Sequence, residues 1–338
     1  MAYTTIDDPE TYFQTVSWTG NATARSITLP GTNDMQPALV WVKERSAAEG
    51  SKIFDAARGA TNLIQSTAAN LEQDQDTSLT SFDSDGFSLG IDTGAIVNDN
   101  TVVTGAWCWK GGTTGSGNTL QGTSSSKAYS FDVSDASGFG ITRYLGNGTD
   151  YHRIPHNQTV APTLNFVKNR DANEDWKVYS RKLTTSNYYL TLNGTAAQTE
   201  SGTSAYFYSW HDDTYFGLGS DADVNANDVN YVSYAFRDIK GYQRISTYTG
   251  NGNADGTFVW TGFRPKLVLT KLISGTANWV MKTDNFGDTY NPQTEFLYAS
   301  NTAAEGDGSH MDFLSNGFKW RDSEANNNSS GGTYLYLA

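Results

Sequence analysis

Pro37-Ala38-Leu39-Val40-Trp41-Val42-Lys43 returns as Pro162-Thr163-Leu164-Asn165-Phe166-Val167-Lys168 and as Pro265-Lys266-Leu267-Val268-Leu269-Thr270-Lys271. A phrase of aromatic-x-Gly-Asn precedes each copy: Trp18-Thr19-Gly20-Asn21, Tyr144-Leu145-Gly146-Asn147 and Tyr248-Thr249-Gly250-Asn251. A third phrase closes each copy: Asp85-Gly86-Phe87-Ser88-Leu89-Gly90, Tyr215-Phe216-Gly217-Leu218-Gly219 and Asn316-Gly317-Phe318-Lys319-Trp320. Three ordered phrases at matching offsets mark a triplicated module. Triplication without evident catalytic residues points to repeated binding or building.

The phrase-ending lysines run 43 to 168 to 271. A period near a hundred is the size of a domain, whereas solenoid and propeller repeats run about 20 to 50 residues. The expectation is therefore three tandem domains, each filling its own core. The proposed division is an N-terminal arm over 1–11, repeats over 12–110, 128–240 and 241–338, and a linker over 111–127. The linker reads GGTTGSGNTLQGTSSSK, the composition of a flexible tether.

Short apolar runs rich in β-branched and aromatic types alternate with turn residues. Asp85-Gly86, Asn147-Gly148, Asn193-Gly194, Asn251-Gly252 and Asn316-Gly317 supply the positive φ that tight turns need. The segment 56–64 is too short and broken for more than a turn or two of helix. The fold class is all-β: three tandem β-sandwich, jelly-roll-like repeats. In this reading the phrase proline precedes a core strand and keeps the edge of that strand from over-pairing, and the lysine sits where the strand leaves the core.

Charged residues are 17% of the chain, against about 25% in an average soluble protein. Polarity must therefore come from Asn, Thr, Ser and Gly, as in many extracellular and virion β-proteins. A net charge of −13 disfavours nucleic acid and anionic membranes as partners. No apolar run reaches the length of a membrane span. The start lacks the basic and apolar regions of a secretory signal, so synthesis in a cytoplasm is expected. The single cysteine, Cys108, aligns with Ala235 and reads as a small buried residue.

No nucleophile elbow, phosphate loop or His-Glu-x-x-His appears, and no acidic pair recurs in all three copies. No catalytic residue is assigned. His152 and His156 flank Pro155, which keeps them off a common helical face, and His211 reads as a surface histidine. Asp221, Asp223 and Asn225 alternate oxygen ligands like the first half of a calcium loop, but lack its glycine and its bidentate glutamate. A polar hairpin loop is the simpler reading. A loosely bound calcium ion is the cofactor hypothesis, and otherwise none is expected. Trp41, Trp107, Trp109, Trp176, Trp279 and Trp320 lie in strand-like runs and read as core. Tyr208, Trp210, His211 and Trp260 are the glycan-contact candidates, since exposed rings beside amides suit sugars. Tyr3, Ile6, Tyr12 and Phe13 are the residues left for anchoring to an assembly.

Together, Thr261-Gly262-Phe263-Arg264-Pro265-Lys266-Leu267-Val268, Asp55-Ala56-Ala57-Arg58-Gly59-Ala60-Thr61, Asp83-Ser84-Asp85-Gly86-Phe87-Ser88-Leu89-Gly90 and Ala106-Trp107-Cys108-Trp109-Lys110 carry a resemblance. They resemble a repeated, lectin-like β-sandwich module of marine bacteriophage tail-fibre and virion surface proteins. Copy two departs most, lacking the Asp-x-x-Arg-Gly phrase. The resemblance brings no catalytic residues. It implies a non-enzymatic virion structural protein, a tail fibre or appendage contacting host surface polysaccharide. Its partners would be other virion proteins and further copies of itself, a trimer being the guess. Capsid decoration or tail architecture without receptor binding is the alternative, and a polysaccharide depolymerase a more distant one.

Overall fold

The runs that read as strands are strands, and nearly all regular structure is β. The computed structural model describes residues 4–119, 126–202, 206–208, 211–284, 286–287 and 290–338. The strands fall into three groups with one recurring antiparallel order. In the first group Phe13–Thr19 pairs with Val103–Lys110, which pairs with Pro37–Glu44, then Lys52–Asp55, then Gly59–Gln65. The second repeats this as Phe139–Leu145, Asn230–Phe236, Leu164–Asn169, Lys177–Ser180 and Tyr188–Thr191. The third repeats it as Ile245–Thr249, Thr333–Leu337, Leu267–Leu272, Val280–Thr283 and Gln293–Tyr298. A smaller layer also recurs. It is Arg25–Ile27, Gly86–Leu89 and Leu79–Asp83 in the first group, and His152–Pro155, Tyr215–Leu218 and Phe207–Tyr208 in the second. In the third, Phe258–Trp260, Gly317–Trp320 and Gly306–Leu314 continue the main sheet instead of separating from it.

The phrase strand is a core strand, as its residues suggest. Pro37–Glu44 lies between two partners, and all eight of its residues are buried. Pro37 instead marks a register shift against Val103–Lys110. Alternate side chains of this strand enter two different interiors. Val40 and Val42 join Phe54, Phe87, Ala106 and Cys108 inside the first group. Leu39 and Trp41 join Trp107 and Trp109 on the other face. That second face belongs to no single group. It packs with Leu164, Phe166, Trp176 and Tyr234 of the second and Leu267, Leu269, Trp279 and Leu337 of the third. Each group thus has a private core, and all three also share a central one. The expectation of three self-contained cores is incomplete for that reason. Burying both faces removes more apolar area from water than three separate sandwiches could, at roughly 25 cal/mol per Å².

Two other expectations change. Residues 56–64 run into the strand Gly59–Gln65, not a helical turn, because Lys52–Asp55 offers it a ladder. The segment 111–127 is no free tether. Thr113–Asn118 forms an edge strand on Ala128–Ser134, with the Gly112 N–H on Asp132. A Cβ on Gly115 or Gly117 would strike the rings of Phe131 and Tyr129, so these glycines serve packing. Residues 120–125 of that segment lie outside the described residues.

Candidate functional site

The recurring phrases build two devices, one within each group and one between groups. The first is a latch. A buried asparagine, Asn98, Asn225 or Asn328, receives on Oδ1 the backbone N–H of Asn21, Asn147 or Asn251. Its Nδ2 donates back to loop oxygens: Thr23 and Gly90 in the first group, Asn147, Thr149 and Gly219 in the second, Asn251, Asn253 and Asp322 in the third. The chain after each latch asparagine crosses over the phrase glycine. A Cβ on Gly20, Gly146 or Gly250 would lie 2.1, 2.1 or 2.3 Å from the carbonyl of Asp99, Ala226 or Ser329. Only glycine fits such an approach.

The second device is a ring of junctions. Lys43, Lys168 and Lys271 are each fully buried. Lys43 Nζ donates to the Asn301 carbonyl of the third group at 3.1 Å. Lys168 Nζ donates to Ala69 of the first at 3.1 Å, and Lys271 Nζ to Thr195 of the second at 2.8 Å. Two residues on, the carbonyls of Arg45, Arg170 and Ile273 accept from Glu305, Glu72 and Gln198 in the same cyclic sense, at 2.8, 2.9 and 3.0 Å. The groups therefore close into a three-membered ring. Burial pushes each lysine down to about 8, while carbonyls from two groups hold its proton. The lysine does not leave the core, as its strand-end position suggested. It enters the next group.

The junctions differ chemically. Between the second group and the first, Arg170 forms a bidentate pair with Glu72 at 2.9 and 2.7 Å. Glu72 also accepts from Arg58, which is ion-paired with Asp55; the Tyr234 hydroxyl donates to that same carboxylate. The Asp-x-x-Arg-Gly phrase thus serves this contact, and Ser180 stands at the Asp55 position in copy two. Between the first group and the third, Arg45 holds Glu305 at 2.8 Å through both oxygens, and Trp107 Nε1 donates to Thr283. Between the third and the second, Leu337 replaces the polar ring, and Trp279 Nε1 reaches the Thr191 carbonyl at 2.9 Å.

The singled-out site residues scatter. Tyr208 stacks on the exposed Tyr151 at 4.3 Å. Trp210 lies outside the described residues. His211 is no surface histidine. It is buried, stacked 3.7 Å from Tyr179 and pushed down to about 3 by that burial, so it offers nothing to an external sugar. Trp260 is 49% exposed, with Phe258 44% exposed two residues away on the same strand face. The Arg244 guanidinium lies 4.8 Å from the Trp260 ring centre. Asp221 caps the short helix Ala222–Asn225, Asp223 pairs with Lys177 at 2.8 Å, and Asn225 is the latch. The three do not point at one place, and no group of three or more acidic, His or Cys side chains is placed to share an ion among the described residues.

His152 and His156 also have separate duties. His152 Nδ1 donates to Asn225 Oδ1 at 2.8 Å, and its Nε2 accepts from Thr119 at 2.8 Å. His156 meets the Asp212 carbonyl and the Gln158 N–H. The anchoring candidates are packed inward. Ile6 is buried, Tyr12 meets Tyr242 edge-on, and Phe13 lies 4.9 Å from Trp109. Tyr3 falls outside the described residues. Tyr12 and Phe13 remain half-buried, while Ile6 is enclosed.

An all-β protein whose recurring motifs serve latches and junctions, with aromatic rings left on its outer strands, is thereby defined. A family model described as a domain of unknown function (DUF7483) matches residues 8–338, and the chain belongs to that family. One model spans all three strand groups, in keeping with their common core. No curated protein and no solved structure matches.

Proposed function

We propose that the chain is a non-enzymatic structural protein of the bacteriophage virion surface, a tail fibre or appendage that contacts host surface glycans. The half-exposed Trp260 carries this reading. Its ring lies on the outer strand Phe258–Trp260, with Phe258 two residues away and the Arg244 guanidinium over one ring face. An apolar ring face next to hydrogen-bond donors is what a sugar needs. The stacked Tyr151 and Tyr208 pair offers a second surface of the same kind. The resemblance to virion surface modules, the acidic charge and the Asn- and Thr-rich exterior favour the same setting. Three similar faces around one ring suit attachment to other virion proteins or to a symmetric assembly of further copies.

A glycan array probed with the full chain and with Trp260→Ala tests the reading. Binding lost in the variant supports it. Absence of binding together with no adsorption to host cells removes the receptor role. The packed Ile6, Tyr12 and Phe13 favour, as second reading, a decoration or architectural protein that docks through its folded surface. Antibody labelling of intact particles separates the two: hundreds of copies over the capsid mean decoration, and a few at the tail mean an appendage.

A further inference from the structure

The position after the second junction tryptophan carries a lysine in the second group and none in the third. Lys177 follows Trp176 and pairs with Thr191; Val280 follows Trp279 and pairs with Tyr298. In the second group the Lys177 ammonium sits 5.2 Å from the Tyr189 ring centre and 4.6 Å from that of Tyr206, with Asp223 at 2.8 Å. It is a cation in a cage of rings and carboxylate. The first group also has a lysine there, Lys52, 3.9 Å from Glu49.

In the third group, Val280 ends short of that place, and a cavity of about 230 Å³ opens there. Its walls are the Phe296 and Tyr298 rings, the Asp307 and Glu324 carboxylates, and Asn326 and Asn327. Phe296 stands where Tyr189 stands in the second group, two residues before the strand partner of Val280. Glu324 and Asn326 lie four and two residues ahead of the latch Asn328, the offsets of Asp221 and Asp223 ahead of Asn225, so the neutral Asn326 takes the place of Asp223. Asn327 is buried, and its Oδ1 has no hydrogen-bond partner, although its Nδ2 is held by Ser309. Lys282 is engaged by the carbonyls of Gln293, Glu295 and Ser309, the last of which lines the cavity.

We propose that this cavity binds the primary ammonium group of an external ligand, in the place that Lys177 fills from within in the second group. The rings would face the alkyl carbon, Glu324 and Asp307 would balance the charge, and the Asn327 oxygen would accept one N–H. The ligand is an alkylammonium, either an amino sugar or a lysine side chain. The proposal does not rest on the glycan reading, which concerns Trp260.

The test is calorimetric titration of the full chain with glucosamine and with Nα-acetyl-lysine methylamide, each against its N-acetylated neutral counterpart. Binding of either ammonium probe, at least tenfold tighter than its neutral counterpart, is expected. Preference for one probe assigns the source. Glu324→Gln should weaken binding at least fivefold, and Val280→Lys should abolish it by filling the cage. Should Val280→Lys fail to fold, the exposed Glu324→Gln decides. Equal binding of the acetylated probes, no binding of either amine, or an unchanged Glu324→Gln would overturn the proposal.

Discussion

Lys168 donates to the carbonyl of Ala69, 99 residues earlier in the chain, at 3.1 Å, and thereby ties the second strand group to the first. Its ammonium also holds the carbonyls of Asn169 and Glu174 at 2.8 Å. Lys168→Met keeps the alkyl stem but orphans these acceptors. The expected loss is about 1–3 kcal/mol for unsatisfied buried carbonyls, read as a lower midpoint in urea. Lys43→Met and Lys271→Met should behave alike, since each spans an equivalent junction. The exposed Lys182, changed in the same way, should do little.

The shared centre predicts how the chain unfolds. Leu164, Phe166, Trp176, Tyr234 and Phe236 cover one face of the second group's main sheet and are buried in one cluster with residues of the other two groups. Calorimetry of the whole chain should give one cooperative transition rather than three independent ones. A fragment of residues 128–240 should expose that face, bind a hydrophobic dye and aggregate.

Acid should loosen the second group first. His152 is buried neutral, pushed from 6.5 to about 4 mainly by desolvation. Between those values the unfolded chain binds a proton that the folded chain does not, so stability falls as pH drops. It is fully present above about pH 6.5 and lost down to about pH 4, a span of roughly 3 kcal/mol for one group. Protonation would give Nε2 a hydrogen where it now accepts from Thr119. His152→Gln should flatten the acid limb of a stability–pH curve.

Asn225→Ala should be severe for one side chain. It strips acceptor and donors from Asn147, Thr149, Gly219 and His152 at once. A loss of roughly 3 kcal/mol is expected from several buried groups left unpaired. Asn98→Ala and Asn328→Ala test whether the latch is equivalent in all three groups.

Asp55→Asn should cost about 1–3 kcal/mol, because the buried Arg58 loses one of its two carboxylate partners and keeps Glu72. Arg58 and Asp55 are both inaccessible to solvent. The double variant Asp55→Asn/Arg58→Met should recover part of the loss, which a double-mutant cycle would measure.

Much of this was legible in the residues. The runs around Leu39, Tyr188 and Tyr231 are strands, and Cys108 and the six tryptophans read as core are buried, whereas the polar segment before Asn225 holds the short helix Ala222–Asn225. The continuous run Leu39-Val40-Trp41-Val42 also signals burial on both faces. A strand buried on one face alternates, while one buried on both does not. The lysine at position 43 hid that meaning, because a charged residue at a strand end looks like an exit to solvent. His211 and Asp223 were misplaced for a similar reason: a polar side chain in a polar-looking loop says nothing of the stacking ring or the ion pair that waits across the fold.

Residue type and spacing alone made this an all-β protein, since local turn chemistry and strand preference act between near neighbours. Which carbonyl Lys168 reaches, and whether a lysine or an empty space faces Phe296, depends on chain segments brought together from about a hundred residues apart. No local rule encodes that juxtaposition. It arises when the outer faces of three sheets are driven together to leave water, and only then do the buried charges acquire their partners.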